Sequence, residues 1–463
     1  MSSRATHLQD PAFESWLDTQ LGCSAKAMLS SISPVSIVKD RSGFGQTVRP
    51  IAGAIVASPV LGSYDPDPDY FFHWFRDSAV VIDALRLLYV DRRVGDEALQ
   101  HLRDFTGFSL ALNGLDGRAI AAVSDRRSRV APDLLQYLRD DAELASVHGT
   151  VSAETRVNPD GTLDILRWPR PQHDGPALRA LALLRWVNGG YLDPSLLAEV
   201  GALIRLDLDF TLRHWPEPSY DIWEEESGHH YYTLRVSAAA LAQGAAWLEG
   251  LGDTAQAQRC REASQAALTQ LDGYWVNEQA GDGDAAPGYY RSRVLADGRP
   301  SAKALDIAVI LSAIHALGTE PAHGPADPRM QATLARLEAL FDAAYPINHG
   351  RPEGRGPAMG RYAGDVYYSG GAYYFSTLGA AEFCFRAAAA GGDARHQSQW
   401  TQRGDAYLAT VRAYTPANGD LSEQFDQRSG VQTSAKQLAW SHAAFISCVS
   451  ARRVAAAGQP RRQ

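Results

Sequence analysis

Asn188-Gly189-Gly190 and Leu251-Gly252-Asp253 are tight turns, and between them stands the loop Tyr220-Asp221-Ile222-Trp223-Glu224-Glu225-Glu226-Ser227-Gly228. Apolar residues recur at three- and four-residue spacing over 174–188 and 192–214 around the first turn, and over 233–249 and 253–271 around the second. That is the period of a helix with one buried face. A glycine-marked turn of this length reverses the chain and does little else. The stretch therefore predicts two helical hairpins joined by a long loop.

The same rhythm runs outward in both directions. Helix-period windows also fall at 13–31, 75–90, 95–112, 302–318, 327–343, 370–391, 397–414 and 434–456. About twelve helices result. Long connections rich in Trp, Tyr, Asp, Gly and Pro occupy 44–74, 113–173, 215–232, 272–301, 344–369 and 415–433. Long loops in a compact domain are usually functional. Their alternation with short turns predicts six helical hairpins in a ring, with the long loops at one end. Short strands are expected around 51–60 and 118–124. With no Ser/Thr-rich linker, one domain is expected over 1–463, with short flexible termini such as Gly458 to Gln463.

Composition narrows the function. Hydrophobic residues make up 45% and charged residues 21%, an ordinary globular balance. The net charge of -9 and the lack of a basic run argue against a nucleic-acid partner. No run of about 18 apolar residues suits a membrane span. Met1 to Asp10 lacks an apolar stretch of signal-peptide length, so a cytoplasmic enzyme is expected. Cys23, Cys260, Cys384 and Cys448 are far apart with no CxxC, which predicts buried free thiols.

Two loops carry glutamates suited to acetal cleavage, Glu224 in the stretch quoted first and Glu423 in Asp420-Leu421-Ser422-Glu423-Gln424-Phe425-Asp426. Such a reaction needs an acid for the departing oxygen and a carboxylate to activate water or attack. Trp223, Glu225 and Glu226 beside Glu224 supply the apolar ring and like charges that raise a carboxyl pKa. A solvated acidic turn ahead of a helix remains open for either loop. Asp67-Pro68-Asp69-Tyr70-Phe71-Phe72-His73-Trp74-Phe75-Arg76-Asp77-Ser78 ends in an Arg-Asp pair that either grips sugar hydroxyls or caps a helix. Trp168-Pro169-Arg170-Pro171-Gln172-His173-Asp174-Gly175-Pro176 and Gly360-Arg361-Tyr362-Ala363-Gly364-Asp365-Val366-Tyr367-Tyr368 add the charged and aromatic groups a polyhydroxylated ring calls for.

Together these blocks resemble the catalytic domain of glucoamylases, the glycoside hydrolase family fifteen of inverting exo-α-glucosidases. Pro68 to Ser78, Trp168 to Arg179, Tyr220 to Glu225, Gly360 to Tyr368 and Leu421 to Trp440 match in the family's order, within a resemblance running from Trp16 to about residue 450. The resemblance implies an all-α fold, an (α/α)6 barrel of six inner and six outer helices. It implies Glu224 as general acid and Glu423 as general base. Tyr70, Trp74, Arg76 and Asp77 match the lining of the terminal-glucose pocket. Trp168 matches a loop tryptophan reaching over the acid, and Trp223, Glu225 and Arg361 match residues holding the first two sugar units. Phe72, His73, Phe75 and His173 depart from the fungal pattern, as does Ser369-Gly370-Gly371-Ala372-Tyr373, all outside the glutamate pair.

The function implied is release of β-D-glucose from the non-reducing ends of soluble malto- or isomalto-oligosaccharides. An inverting pair of carboxyl groups stands about 6.5–9.5 Å apart to admit water, against about 5–5.5 Å for a retaining pair. An α-1,6-glucan (dextran-type) glucohydrolase or a trehalase on the same scaffold is the alternative. A non-catalytic sugar-binding protein is the remote one, disfavoured because both glutamates are kept. The reaction needs no metal or organic cofactor. Asp282-Gly283-Asp284 and Asp65-Pro66-Asp67-Pro68-Asp69 read as surface turns, since neither completes a calcium loop. Oligomeric state has no signature in the sequence.

Overall fold

The computed structural model describes residues 10–123, 125–277, 288–318 and 322–458. Among them, a helix occupies each of the twelve expected windows. They are α1 (Pro11–Ser30), α2 (Phe75–Val90), α3 (Glu97–Ala111), α6 (Asp174–Asn188), α7 (Pro194–His214), α8 (Tyr231–Gly250), α9 (Thr254–Asp272), α10 (Ala308–His315), α11 (Pro328–Ala344), α12 (Tyr374–Ala389), α13 (Ala394–Tyr414) and α14 (Ala439–Ala457). Two short helices, α4 (Gly117–Ala121) and α5 (Asp141–Ser146), lie in the loop after α3.

Three helices start later than their periodicity suggests. The Asp306 carboxylate accepts the Ala308 N–H at 2.8 Å, and α10 begins there. Ahead of α12 and α14 the chain is extended, at Ala372–Tyr373 and Gln432–Thr433. The strand expectations were misplaced. Within 51–60 the chain forms only an isolated bridge, Ile55 to Ile32. Asp116 accepts the Arg118 N–H at 2.9 Å and caps a helical turn over Gly117–Ala121, while residue 124 lies outside the described residues. The strands that do form are too short to leave a period-two pattern. The run Asp65 to Asp69 is a surface turn only in part: Asp65 is exposed, but Asp69 is buried and pairs with Arg41 at 2.7 Å. The tail beyond Gly458 and the run Asp282-Gly283-Asp284, which the sequence reads as a surface turn, fall outside the described residues.

The chain divides into two compact units. The first comprises Met1–Met28, Gly228–Ala239 and Glu262–Gln463, and the second Leu29–Ser227 and Ala240–Arg261.

In the second unit α6 is apolar on almost every side and lies buried between α2 and α7. Trp186 donates its indole N–H to Ile82 O (3.1 Å), and Arg179 pairs with Asp207 of α7 in full burial (2.6 Å). Gly175 permits the close crossing at the start of α2, because a Cβ there would stand 2.5 Å from Phe75 Cβ. The first turns of α2 and α6 are thereby brought together, and with them Arg76, Asp77 and Asp174.

In the first unit α12 fills the same buried position, packed against α13 and α14. Phe375 stacks on Trp440 at 4.4 Å and joins the starts of α12 and α14. A three-stranded sheet ties the loops ahead of them, pairing Tyr373 with Gln424 and Gln424 with Thr433. Gly370 closes this corner with φ +56°, and a Cβ there would fall 2.2 Å from Asp365 O. The four cysteines are free, three buried and Cys23 half-buried. No helix among the described residues is long and apolar enough to cross a membrane.

Candidate active site

Glu224 sits at the tip of a turn built by Asp221. Glu224 N–H donates to Asp221 O (2.9 Å), Glu225 N–H to the Asp221 carboxylate (2.8 Å), and Asp221 N–H back to Glu226 O (3.1 Å). The turn puts Glu224 at φ +64°. This left-handed conformation costs a residue with a Cβ roughly 1–2 kcal/mol. Three hydrogen bonds to its carboxylate offset that strain. Trp74 Nε1 and Arg76 Nη2 donate to Oε1 at 2.8 and 3.1 Å, and Trp168 Nε1 donates to Oε2.

These donors reach Glu224 for local reasons. His73–Trp74 forms a two-residue strand with Arg156–Val157, and α2 starts directly after it. Asp77 therefore lies inside the first turn and is not the cap, which settles one alternative left open by the sequence. Tyr70 packs on Trp74 (5.2 Å between rings), and Trp223 is buried within the acid's turn, directly before Glu224. Trp168 is backed by the Arg156 guanidinium, 3.7 Å from its ring centre, which also faces Phe72 (3.9 Å) and Trp74 (4.8 Å). Arg156 is fixed in turn by Asp164 (2.9 Å), within a buried lattice that includes Arg170, Glu154 and Arg139.

Arg76 joins this half of the site. Besides Glu224 it donates to Gln172 Oε1 (3.2 Å) and faces the carboxylates of Asp77 (3.3 Å) and Asp174 (3.8 Å). Burial opposes its charge, but the three carboxylates outweigh burial and hold it cationic. Against one guanidinium the acids are in excess. Burial pushes Asp77 up despite Arg76, with Glu224 adding to the effect. Burial likewise pushes Asp174 up to about 6, with Glu224 and Asp77 adding. Two aspartates from neighbouring helices, which no local run suggested as partners of Glu224, thus feel its charge. Asp77 Oδ2 and both Asp174 carboxylate oxygens are buried and accept no hydrogen bond.

A raised aspartate favours the native state only while it is protonated. Asp174 therefore imposes no penalty below its unfolded value near 3.8, and a growing one as pH rises to about 6. Asp174→Asn should gain stability over wild type across pH 4–6 and hold a gain of up to roughly 3 kcal/mol above it. Thermal midpoints of both proteins from pH 3.5 to 8 measure this, and a constant difference would show that charge is not the cause.

In the first unit Glu423 follows the same logic with other partners. Ser434, at φ +64°, donates its hydroxyl to Glu423 Oε2, and Glu423 N–H donates to Ala435 O (2.8 Å). Arg361 reaches this corner through a relay of side chains. Its Nε and Nη2 grip Asp365 (both 2.6 Å), which accepts from Tyr373 OH (3.0 Å), which accepts from Gln424 Nε2 (2.8 Å). The arginine is also ringed by Tyr362, Tyr367 and Tyr373 at 5.2–5.4 Å.

Gln172, Asp174, Asp221, Asp365 and Tyr373 lie within the runs quoted from the sequence, but no local pattern assigns them roles. Arg156 and Asp164 stand in an aperiodic stretch and leave no local signal, while Ser434 falls at the start of the expected 434–456 window, which gives no hint of its contact with Glu423. Only the pairing of His73–Trp74 with Arg156–Val157 reveals the first of these. His173, at the entry to α6, is driven down to about 4 by burial, with His214 beside it adding to the effect.

Residues 42–116 and 156–450 match the family described as Glycosyl hydrolases family 15. The chain is 28% identical to a glucoamylase of Neurospora crassa, covering 87% of this chain and 63% of that protein. It is 26% identical to a probable glucoamylase of Schizosaccharomyces pombe, over 95% and 92% of the two. The solved Hormoconis resinae glucoamylase superposes with a TM-score of 0.74 at 27% identity, covering 96% of this chain and 74% of that one. The chain belongs to glycosyl hydrolases family 15. It is a glycoside hydrolase of the glucoamylase kind with an α-glucan substrate, and its all-α fold is the (α/α)6 barrel that the resemblance implied.

Proposed function

We propose that this enzyme releases β-D-glucose, with inversion, from the non-reducing ends of soluble malto- or isomalto-oligosaccharides. Glu224 is the general acid and Glu423 the general base in this reading. The observation that carries it is the grip of Trp74, Arg76 and Trp168 on Glu224 in a buried aromatic setting. Glu224 gives its proton to the glycosidic oxygen as the bond from that oxygen to C1 breaks. Water adds to C1 from the opposite ring face, and Glu423 takes the water's proton. Ser434 orients the base by holding one of its oxygens.

Substrate contacts fall to the remaining predicted residues. Asp77 Oδ2, buried and accepting no hydrogen bond, suits a sugar hydroxyl, and Arg76 beside it supplies the matching cation. Tyr70, Trp74, Trp168 and Trp223 offer flat faces to the ring, while Glu225 and Arg361 serve the first two units. The two compact units act in this proposal as one catalytic domain over 1–463. A cytoplasmic site of action agrees with four free cysteines.

Proton NMR of fresh digests of maltose, isomaltose, trehalose and dextran tests the reading. The β-anomer of glucose should appear first, from maltose or isomaltose. Initial α-glucose would overturn inversion, and trehalose as the sole substrate would overturn the oligosaccharide assignment.

A further inference from the structure

The α6–α7 hairpin returns the end of α7 to the start of α6, and three metal-ligating side chains meet there. His173 precedes α6, His214 ends α7, and Glu217 follows in the next turn. One ligand atom from each lies within 4.8 Å of the others. His173 is 4% exposed, and its Nδ1 is buried with no hydrogen-bond partner. A polar atom so placed is costly unless something binds it. His214 Nδ1 and Glu217 Oε2 already face each other at 2.8 Å, on the side open to solvent.

We propose that His173, His214 and Glu217 form a binding site for a divalent transition-metal ion of the zinc type. Two imidazoles and one carboxylate suit such an ion, whereas calcium and magnesium prefer oxygen ligands. Bonds of about 2.0–2.2 Å in tetrahedral geometry place ligand atoms roughly 3.4 Å apart, so the His214–Glu217 contact of 2.8 Å would open slightly while the widest separation, within 4.8 Å, would close by roughly an ångström. The Glu217 and His214 side chains, both reaching solvent, have room for that movement, and water completes the fourth position. The C-terminal end of α7 adds a negative dipole that favours a cation. The ion would tie the 171–173 and 217–221 segments, already joined by Tyr220 N–H to Pro171 O (2.9 Å) and by Gln172 Nε2 to Asp221 O (2.7 Å). It acts as a brace and takes no part in the hydrolysis.

The test uses the untagged full chain, stripped with EDTA and titrated with zinc chloride. Calorimetry should give one site, and the thermal midpoint should rise with zinc concentration. His214→Ala and Glu217→Gln, at accessible positions, should each weaken binding at least about tenfold. An anomalous-scattering peak at the zinc edge should fall between His173 and His214. No binding up to about 1 mM, unchanged affinity in both variants, an equal response to calcium, or a peak elsewhere would each overturn the proposal.

Discussion

Glu224→Gln should cut turnover of maltooligosaccharides by about 10²–10⁴-fold or more, the usual worth of acid catalysis. The amide has nearly the shape of the carboxylate but no proton to give. Its oxygen can still accept from Trp74 and Arg76, while its NH2 group meets the Trp168 indole N–H, donor against donor. One lost hydrogen bond costs roughly 1 kcal/mol, so the fold should survive. Glu423→Gln should lose as much turnover through the base. α-Glucosyl fluoride separates the roles, because fluoride departs without protonation. It should rescue Glu224→Gln and leave Glu423→Gln inactive. Wild-type rates on maltose in either variant would refute the assignment.

Arg76→Ala should lower stability by about 3–5 kcal/mol at pH 7, the cost of stripping a buried charge from its partners. Asp77, Asp174 and Glu224 would share a buried corner with no cation. The pH dependence identifies the cause. Asp77 and Asp174 are already raised, and without Arg76 they rise further. Protons taken up by the native state then relieve the repulsion, so the deficit should shrink as pH falls from 7 towards 4. Thermal midpoints at several pH values measure it, and a deficit independent of pH would point to lost packing. Arg76→Lys should keep more stability yet little activity, since one ammonium cannot span Gln172, Glu224 and Asp77 as the planar guanidinium does.

Most helices were legible because they bury one face, and burial writes a 3.6-residue period into the chain, whereas α6 and α12 are buried almost all round. All twelve windows became helices. The strands were not legible: two paired residues such as His73–Trp74 carry no period, and the expected strand at 118–124 yielded to an aspartate cap. Candidate site residues were legible as types in local runs, since Trp223-Glu224 and Arg76-Asp77 are chain neighbours.

By itself the sequence determined the helical class, the alternation of turns and loops, and which loops hold acids and aromatics. All of these depend on residues near one another in the chain. Tertiary structure alone decided that Arg156 supports Trp168, that Asp174 shares Arg76 with Glu224, and that Ser434 holds Glu423. Those outcomes depend on distance and burial between side chains that local sequence patterns do not connect, where a charge is weighed against the water it has lost.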